Sequence, residues 1–307
     1  MSAAVSIASR SVLAAKFPAN KFLPLFERKT PWRHRRGVFV WLLFVVVASQ
    51  CARSGADTLS VAGLPLASQS SLHCGLGQLA QTSRVEAVAI KSVIDGDTLK
   101  LVDGRKVRLI GINAPELHSP QRPQEEFHGR KAKAAAGEFF TRGAKAYLVE
   151  DKESRDHYGR ALAHLFNDKG ENLEAHLLSR GLAWHVAVPP NLHLADCLAK
   201  LEARARAQNL GIWQLGALSS QTLAGGGFQR VRGRVEKVTL AGAWWLNFDG
   251  DLAAVIYPEH QHRFDKKWLR RLEGQRVEVQ GWVYSAPRGK KAWRMKLETP
   301  YAIEKGH

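Results

Sequence analysis

The tightest constraint on this chain comes from two alternating runs on either side of an Asp-Gly pair. Thr98-Leu-Lys-Leu-Val102 and Lys106-Val-Arg-Leu-Ile-Gly-Ile112 place apolar side chains at alternate positions, and Asp103-Gly104 stands between them. Successive side chains of a strand point to opposite faces, so such a run buries one face and solvates the other. Asp-Gly suits a tight turn that needs positive φ, and the segment therefore predicts a β-hairpin. Arg108 shares its parity with Ile110 and Ile112, an expensive place for a guanidinium that is not put to use.

The neighbouring pattern extends this hairpin into a domain. Val85, Ala87, Ala89, Val93 and Ile94 suggest a preceding strand. Residues 113–128 hold three prolines and read as a loop, and the Ala/Lys-rich stretch 129–142 reads as a helix. Tyr147–Glu150 and Ala161–Phe166 form a second strand pair around Arg155-Asp-His-Tyr-Gly-Arg160. Asn172 can cap a helix that stops at Gly181, and a longer helix is expected over about 193–209. Strands first and helices packed after them predict a small α+β barrel over 84–215.

A second unit is expected over 226–305, opened by Gly225-Gly-Gly227. Val231, Gly233 and Val235 alternate, as do Trp244, Leu246 and Phe248, then Val277, Val279, Gly281 and Val283, then Trp293, Met295 and Leu297. With a short helix near 264–273, this fits a small OB-like β-barrel, an SH3-like barrel being the competing reading. Tryptophans 244, 245, 282 and 293 on alternating strands read first as core. Stacking on bases is their other use. Arg230, Arg232, Arg234, Lys237, Arg288, Lys290 and Lys291 would suit an accessory grip on nucleic acid.

Charge narrows the partner. The formal net charge is +17, and eight Lys/Arg against the single acid Glu27 make residues 1–50 +7, which leaves +10 for the rest. A chain that basic without its first 50 residues calls for a polyanion: nucleic acid, an anionic membrane, or both. At 45% hydrophobic and 24% charged the composition is that of a folded protein, so disorder is not the default.

Residues 1–50 read as an export segment. Arg33, Arg35 and Arg36 precede the apolar run Val38–Ala48, and small residues follow. The run is shorter than the roughly 20 residues of a comfortable membrane span. A cleaved signal peptide is expected, with an uncleaved membrane anchor as the alternative, and residues 51–83 read as a linker. An exported chain meets an oxidising compartment, where two of Cys51, Cys74 and Cys197 can pair. Cys74 with Cys197 is the expected pair, since both lie in or beside the folded part. Three free thiols is the alternative.

The residues that carry chemistry run from Asp95 to Arg160. Asp95-Gly-Asp-Thr98 opens a strand, Arg108 lies on the next, Asn113-Ala-Pro-Glu116 follows, and Asp156-His-Tyr-Gly-Arg160 joins two later strands. Gathered at one end of a barrel, these supply what phosphodiester hydrolysis needs. Asp97 and the Asn113 amide offer oxygen ligands for a hard cation. Glu116 is a candidate general base. Arg108 and Arg160 can meet charge developing on phosphorus. Asp95 is expected to close the turn with Gly96. Histidines 118, 128, 157, 164, 176, 185 and 193 lack zinc-ligand spacing and are read as surface or core.

In order and spacing, Ile94-Asp-Gly-Asp-Thr-Leu99, Val107–Glu116, Asp156–Ala163, Asn172–Ala183 and Leu210-Gly-Ile-Trp213 resemble the thermonuclease, or staphylococcal nuclease-like, family. The resemblance covers about 85–213. It implies an OB-like five-stranded barrel with three helices that cleaves DNA and RNA with Ca²⁺. It also implies Asp97 and the Ala114 carbonyl as metal ligands, Glu116 as base, Arg108 and Arg160 on phosphate, Tyr158 on the nucleotide, and 3′-phosphate products. Two departures stand out. Asn113 occupies the place of a second metal-binding Asp, and Trp184–Pro190 lacks two nucleotide-holding tyrosines. The expected function is an exported Ca²⁺-dependent endonuclease, periplasmic or secreted, with no obligate protein partner implied. The rival is a nuclease-like barrel that binds nucleic acid without cutting it.

Overall fold

The hairpin read from the sequence is present, with Thr98 opposite Arg108 and Leu99 opposite Val107. Gly104 turns it at a φ of +94°. We describe the computed structural model over residues 74–81, 83–118, 123–140, 145–286 and 289–305. The export segment 1–50, residues 51–73 of the expected linker, Cys51 and Arg288 lie outside them.

In chain order the first part contains helix α1 (Leu76–Leu79), strands β1 (Val85–Val88), β2 (Ile90–Val93), β3 (Thr98–Leu101), β4 (Lys106–Leu109) and β5 (Ile112–Asn113), then α2 (Pro123–Glu138). Strands β6 (Ala146–Val149) and β7 (Ala161–Phe166), α3 (Leu173–Ser179), β8 (Trp184–His185) and α4 (Ala195–Ala207) complete it. β1 and β2 are one strand bent at Ala89: its first half pairs with β6 and its second with β3. The remaining pairs are antiparallel β3–β4 and β6–β7 and parallel β4–β7. The circuit closes a five-stranded barrel, the expected OB-like frame.

Its core is built from apolar side chains of the strands. Leu99, Leu101, Val107, Leu109, Leu148, Val149 and Leu165 are all but inaccessible. Each such side chain contributes about 1.5–3 kcal/mol relative to an exposed one. Helices α3 and α4 pack Leu173, Leu177, Leu178 and Leu198 into the same core. The Asn172 side chain accepts from the Ala175 N–H at 2.7 Å, the N-cap expected for α3, and Gly181 adopts φ +62° past its end.

Several boundaries differ from the sequence reading. α2 begins at Pro123, inside the stretch read as a loop, because proline is well suited to the first turn of a helix, where its missing N–H costs nothing. The strand from Lys106 stops at Leu109, where the chain turns through Gly111 at φ +84°. The end of the expected linker is folded: Leu76 and Leu79 of α1 are fully buried in the barrel core. One i, i+3 leucine pair is too short a signal to stand out from a Ser/Ala/Gly-rich stretch. Cys74 and Cys197 form a disulfide with Cα atoms 5.8 Å apart, tying that segment to α4.

The second part contains β9 (Leu218–Ser219), β10 (Gly227–Leu240), β11 (Trp244–Phe248), β12 (Leu252–Ile256), α5 (Lys266–Arg270), β13 (Arg276–Ser285), β14 (Trp293–Lys296) and β15 (Ile303–Lys305). Antiparallel pairs β10–β11, β11–β12, β13–β14 and β10–β13, with parallel β12–β14, close another five-stranded barrel. Leu218 and Ser219 already pair with Val231 and Arg232, so the second sheet recruits residues ahead of 226.

Both parts belong to one compact unit. Trp184, Ala205, Ile212 and Trp213 form a small core of their own with Phe228 packed against it. Arg206 reaches from α4 to Glu278, at 3.1 Å, and to Glu304. Arg230 donates to the Leu215 carbonyl and covers the Trp213 ring. Gln280 donates to the His185 carbonyl at 3.0 Å, and Thr299 to that of Ala187 at 3.2 Å.

Candidate active site

One end of the first barrel opens into a cleft of about 910 Å³. Its lining includes Asp97, Arg108, Asn113, Ala114, Glu116, Tyr158 and Arg160, so residues 63 positions apart in sequence meet at one hollow. Strand starts and strand-to-strand loops put them there. Asp97 precedes β3, Arg108 lies on β4, Asn113 ends β5, and Tyr158 and Arg160 lie in the loop between β6 and β7.

Asp97 sits at the bottom. It is 7% exposed. One carboxylate oxygen accepts from the Ala114 N–H at 2.7 Å and lies 3.2 Å from Arg108, and the other accepts from the Thr98 hydroxyl. Burial outweighs these favourable contacts, and the charge of Asp95 adds to it, so the Asp97 carboxyl is pushed up from 3.8 to about 6. Asp95 accepts the Asp97 N–H at 3.1 Å, the turn-closing role read from the sequence. Gly96 between them has no room for a side chain. A Cβ there would stand 2.6 Å from that of Ala114 and 2.7 Å from that of Ala132 on α2.

Arg108 is held on several sides. It donates to the carbonyls of Leu109 and Ile112 and to the Asn113 amide oxygen at 3.1 Å. The Asn113 side chain in turn donates to the Ala114 carbonyl at 3.4 Å. Asn113 therefore faces Arg108 and Ala114 together, its oxygen already engaged by a cation.

Arg160 is held differently. Asp156 accepts from its Nε at 2.7 Å and from its N–H at 2.9 Å. Burial acts to raise the Asp156 carboxyl, but the bonds from Arg160 and the Tyr158 N–H bring it below its usual value. That grip leaves the two terminal nitrogens of Arg160 without a hydrogen-bond partner among the described residues, beside the Tyr158 ring at 5.5 Å. Tyr158 is 70% exposed. Asn191 anchors the loop by two 2.8 Å bonds to the Glu153 backbone.

Glu116 is exposed on the loop before α2. Helix α2 supports that loop closely: a Cβ on Gly129 would come within 2.6 Å of the carbonyl oxygens of both Pro115 and Glu116.

Of the opposite wall, the sequence pointed only to Trp282, as one of the tryptophans that could stack on bases. Phe228, Gln280, Trp282, Tyr284, Lys296 and Tyr301 of the second part line the same cleft, and so do His157 and His185 of the first. Their contribution rests on how the two barrels dock, which no local pattern encodes. Trp282, read first as core, instead takes the solvent parity of its strand together with Tyr284, and is 47% exposed. Among the described residues no three His, Cys, Asp or Glu side chains are grouped to hold a metal ion. Any cation here would rely on amide and carbonyl oxygens as well as Asp97.

Comparison with known proteins gives the family. Residues 106–215 match the model of the staphylococcal nuclease homologue family. The chain is 33% identical over 135 residues to a thermonuclease of Staphylococcus intermedius, covering 43% of this chain and 78% of the relative. It is 32% identical over 124 residues to a thermonuclease of Staphylococcus hyicus, covering 39% and 72%. To Endonuclease YncB of Bacillus subtilis it is 32% identical over 130 residues, covering 41% and 61%. The family match ends before the second barrel, and over the part that it spans the chain belongs to the staphylococcal nuclease-like, or thermonuclease, family.

Proposed function

We propose that this chain is an exported, Ca²⁺-dependent endonuclease that hydrolyses phosphodiester bonds of DNA or RNA. The observation that carries the reading is the single cleft shared by Asp97, Arg108, Glu116 and Arg160. Nuclease and endonuclease relatives support the reaction class.

The donor set suits a hard cation. Asp97 with the oxygens of Asn113 and Ala114 would hold it. Bound there, Ca²⁺ would withdraw charge from the scissile phosphate. The chain's own residues do the rest. Arg160 offers two free N–H groups to the non-bridging oxygens, where charge grows as the attacking oxygen arrives. Arg108, held by the Leu109 and Ile112 carbonyls, Asn113 and Asp97, adds its positive charge to the same cleft. Glu116 accepts the proton of the attacking water, and as the phosphorus–oxygen bond breaks the departing oxygen takes up a proton from solvent and leaves as an alcohol. Tyr158 covers the nucleotide at the cleft mouth.

The second reading, a barrel that binds nucleic acid without cutting, draws on Asn113, whose amide oxygen is already bonded to Arg108. Digestion of DNA and RNA with Ca²⁺ or with chelator, alongside Glu116→Gln, decides between them. The endonuclease cuts only with the ion, and Glu116→Gln binds without cutting. A wild-type chain that binds but never cuts under any divalent cation leaves the binding module.

Export is supported by the basic-then-apolar segment before Ser49 and by the Cys74–Cys197 disulfide, which suits an oxidising compartment. Cell fractionation tests it: recovery of the chain with cytoplasmic markers would remove this part of the proposal. We read the second barrel as OB-like from its parallel β12–β14 pair and the helix between β12 and β13.

A further inference from the structure

The second barrel presents an aromatic wall to the cleft. On β13 the side chains of Val277, Val279 and Val283 fill the barrel core, while Gln280, Trp282 and Tyr284 take the outward parity. Gln280 is spent on the junction between the barrels. The next two outward residues continue that face into open space: Trp282 is 47% exposed and Tyr284 39%. Both are far from the buried position expected of large aromatic rings.

The Trp282 ring is fixed from behind. It meets Phe228 edge-on at 5.1 Å, and Phe228 packs on the buried Trp184 at 5.2 Å. Tyr284 lies beside Tyr257, their hydroxyls 3.4 Å apart. The rings are thus held by neighbours on one side and bare on the other. Cations accompany them. Arg294 stands opposite Tyr284 across the β13–β14 ladder, its guanidinium over the Trp245 ring, and Lys296 lines the cleft beside Glu298, with which it pairs at 2.6 Å. Residues 226–305 as a whole carry 16 Lys/Arg against 9 Asp/Glu.

Bare aromatic faces bordered by cations match the chemistry of unpaired bases on a phosphate backbone, since every base has a π-face and a duplex hides it. The wall is continuous with the cleft that holds Asp97, Arg108 and Arg160. We propose that Trp282 and Tyr284 form a stacking platform for single-stranded nucleic acid, so that the second barrel holds the strand whose phosphate is cut in the first. This rests on the nuclease reading only for the word "cut". The platform itself is a binding site.

Fluorescence anisotropy of labelled dT12 and rU12, with chelator and the full-length Glu116→Gln chain, tests the platform without catalysis. Trp282→Ala should weaken binding of both strands about tenfold, the loss of one stacked base, and Tyr284→Ala somewhat less. Trp282→Leu, which keeps an apolar contact with Phe228 but has no π-face, should lose as much as Trp282→Ala, whereas Trp282→Phe should recover most of the affinity. A 12-base-pair duplex should bind more weakly and ignore all four changes. In the active chain, Trp282→Ala should raise KM for the 12-mers, leave kcat alone, and not affect cleavage of a nucleoside p-nitrophenyl phosphodiester too small to reach the wall. Unchanged affinity in Trp282→Ala and Trp282→Leu overturns the platform, as does an equal loss of kcat on the small diester. A wild-type chain that cuts nothing defeats the nuclease reading, and the anisotropy result still decides the platform.

Discussion

The two barrels share one circuit of strands and one helix position, yet only the first carries a polar cluster at the end of its circuit. Where Asp95-Gly-Asp97 leads into β3, the second barrel has Ala241-Gly-Ala243 leading into β11. Where the β6–β7 loop carries Asp156, Tyr158 and Arg160, the β13–β14 loop carries Lys290 and Lys291 without a carboxylate between them. Lys291 is spent on the carbonyls of Phe248 and Gly250 and on the Glu236 carboxylate at 3.3 Å. The comparison teaches that the barrel supplies a frame, and the loops at one of its ends decide whether there is chemistry.

If the first barrel depends on its covalent tie, the largest effect should come from removing it. The disulfide closes a loop spanning 123 residues and no second one exists among the described residues. Cys197→Ser should cost about 3–5 kcal/mol of stability. Denaturant unfolding measures it, and a midpoint insensitive to reductant would break this contrast with the uncross-linked second barrel.

Next in size is Arg160→Ala, which should lower kcat by about 10²–10³-fold, the cost of one well-placed donor to a developing negative charge. Lys290→Ala, in the matching hairpin of the second barrel, should stay within about twofold of wild type. Equal effects at the two positions would mean that the frames do not divide the labour as described.

A smaller loss is expected from Gly129→Ala. The added methyl must displace the backbone of Pro115 and Glu116, so kcat should fall roughly tenfold through misplacement of the base. Cleavage by Gly129→Ala at the wild-type rate would free Glu116 from its dependence on α2.

The smallest effect concerns the junction. Glu202 accepts the His185 N–H, with Gln280 of the second barrel 3.4 Å away. Burial, with the charge of Glu304 adding to it, pushes the Glu202 carboxyl up from 4.5 to about 8. Its contribution to stability is therefore complete below pH 4.5 and lost as pH rises through about 8. His185 behaves in the opposite sense. Burial pushes it down from 6.5 to about 4, so its contribution is complete above pH 6.5 and lost as pH falls through about 4. Melting temperature should decline by a few degrees between pH 6 and 9, and Glu202→Gln should flatten that limb while leaving the acidic one. An unchanged alkaline limb in Glu202→Gln would show that the junction is not protonated in the folded chain.

The sequence alone determined what depends on near neighbours. Period-two alternation and Asp103-Gly104 set the hairpin, Asn172 capped its helix, and the motifs from Asp95 to Arg160 marked the residues that line the cleft, because turns, caps and strand faces are local physics. Tertiary structure decided the rest. It buried Leu76 and Leu79, which a short helical turn could not advertise. It turned the Asn113 amide toward Arg108. It also set Trp282, read first as core, and Tyr284 in the lining of the cleft that holds Arg160. Those outcomes depend on which surfaces pack together, and packing joins residues more than a hundred positions apart, beyond the range of any periodicity.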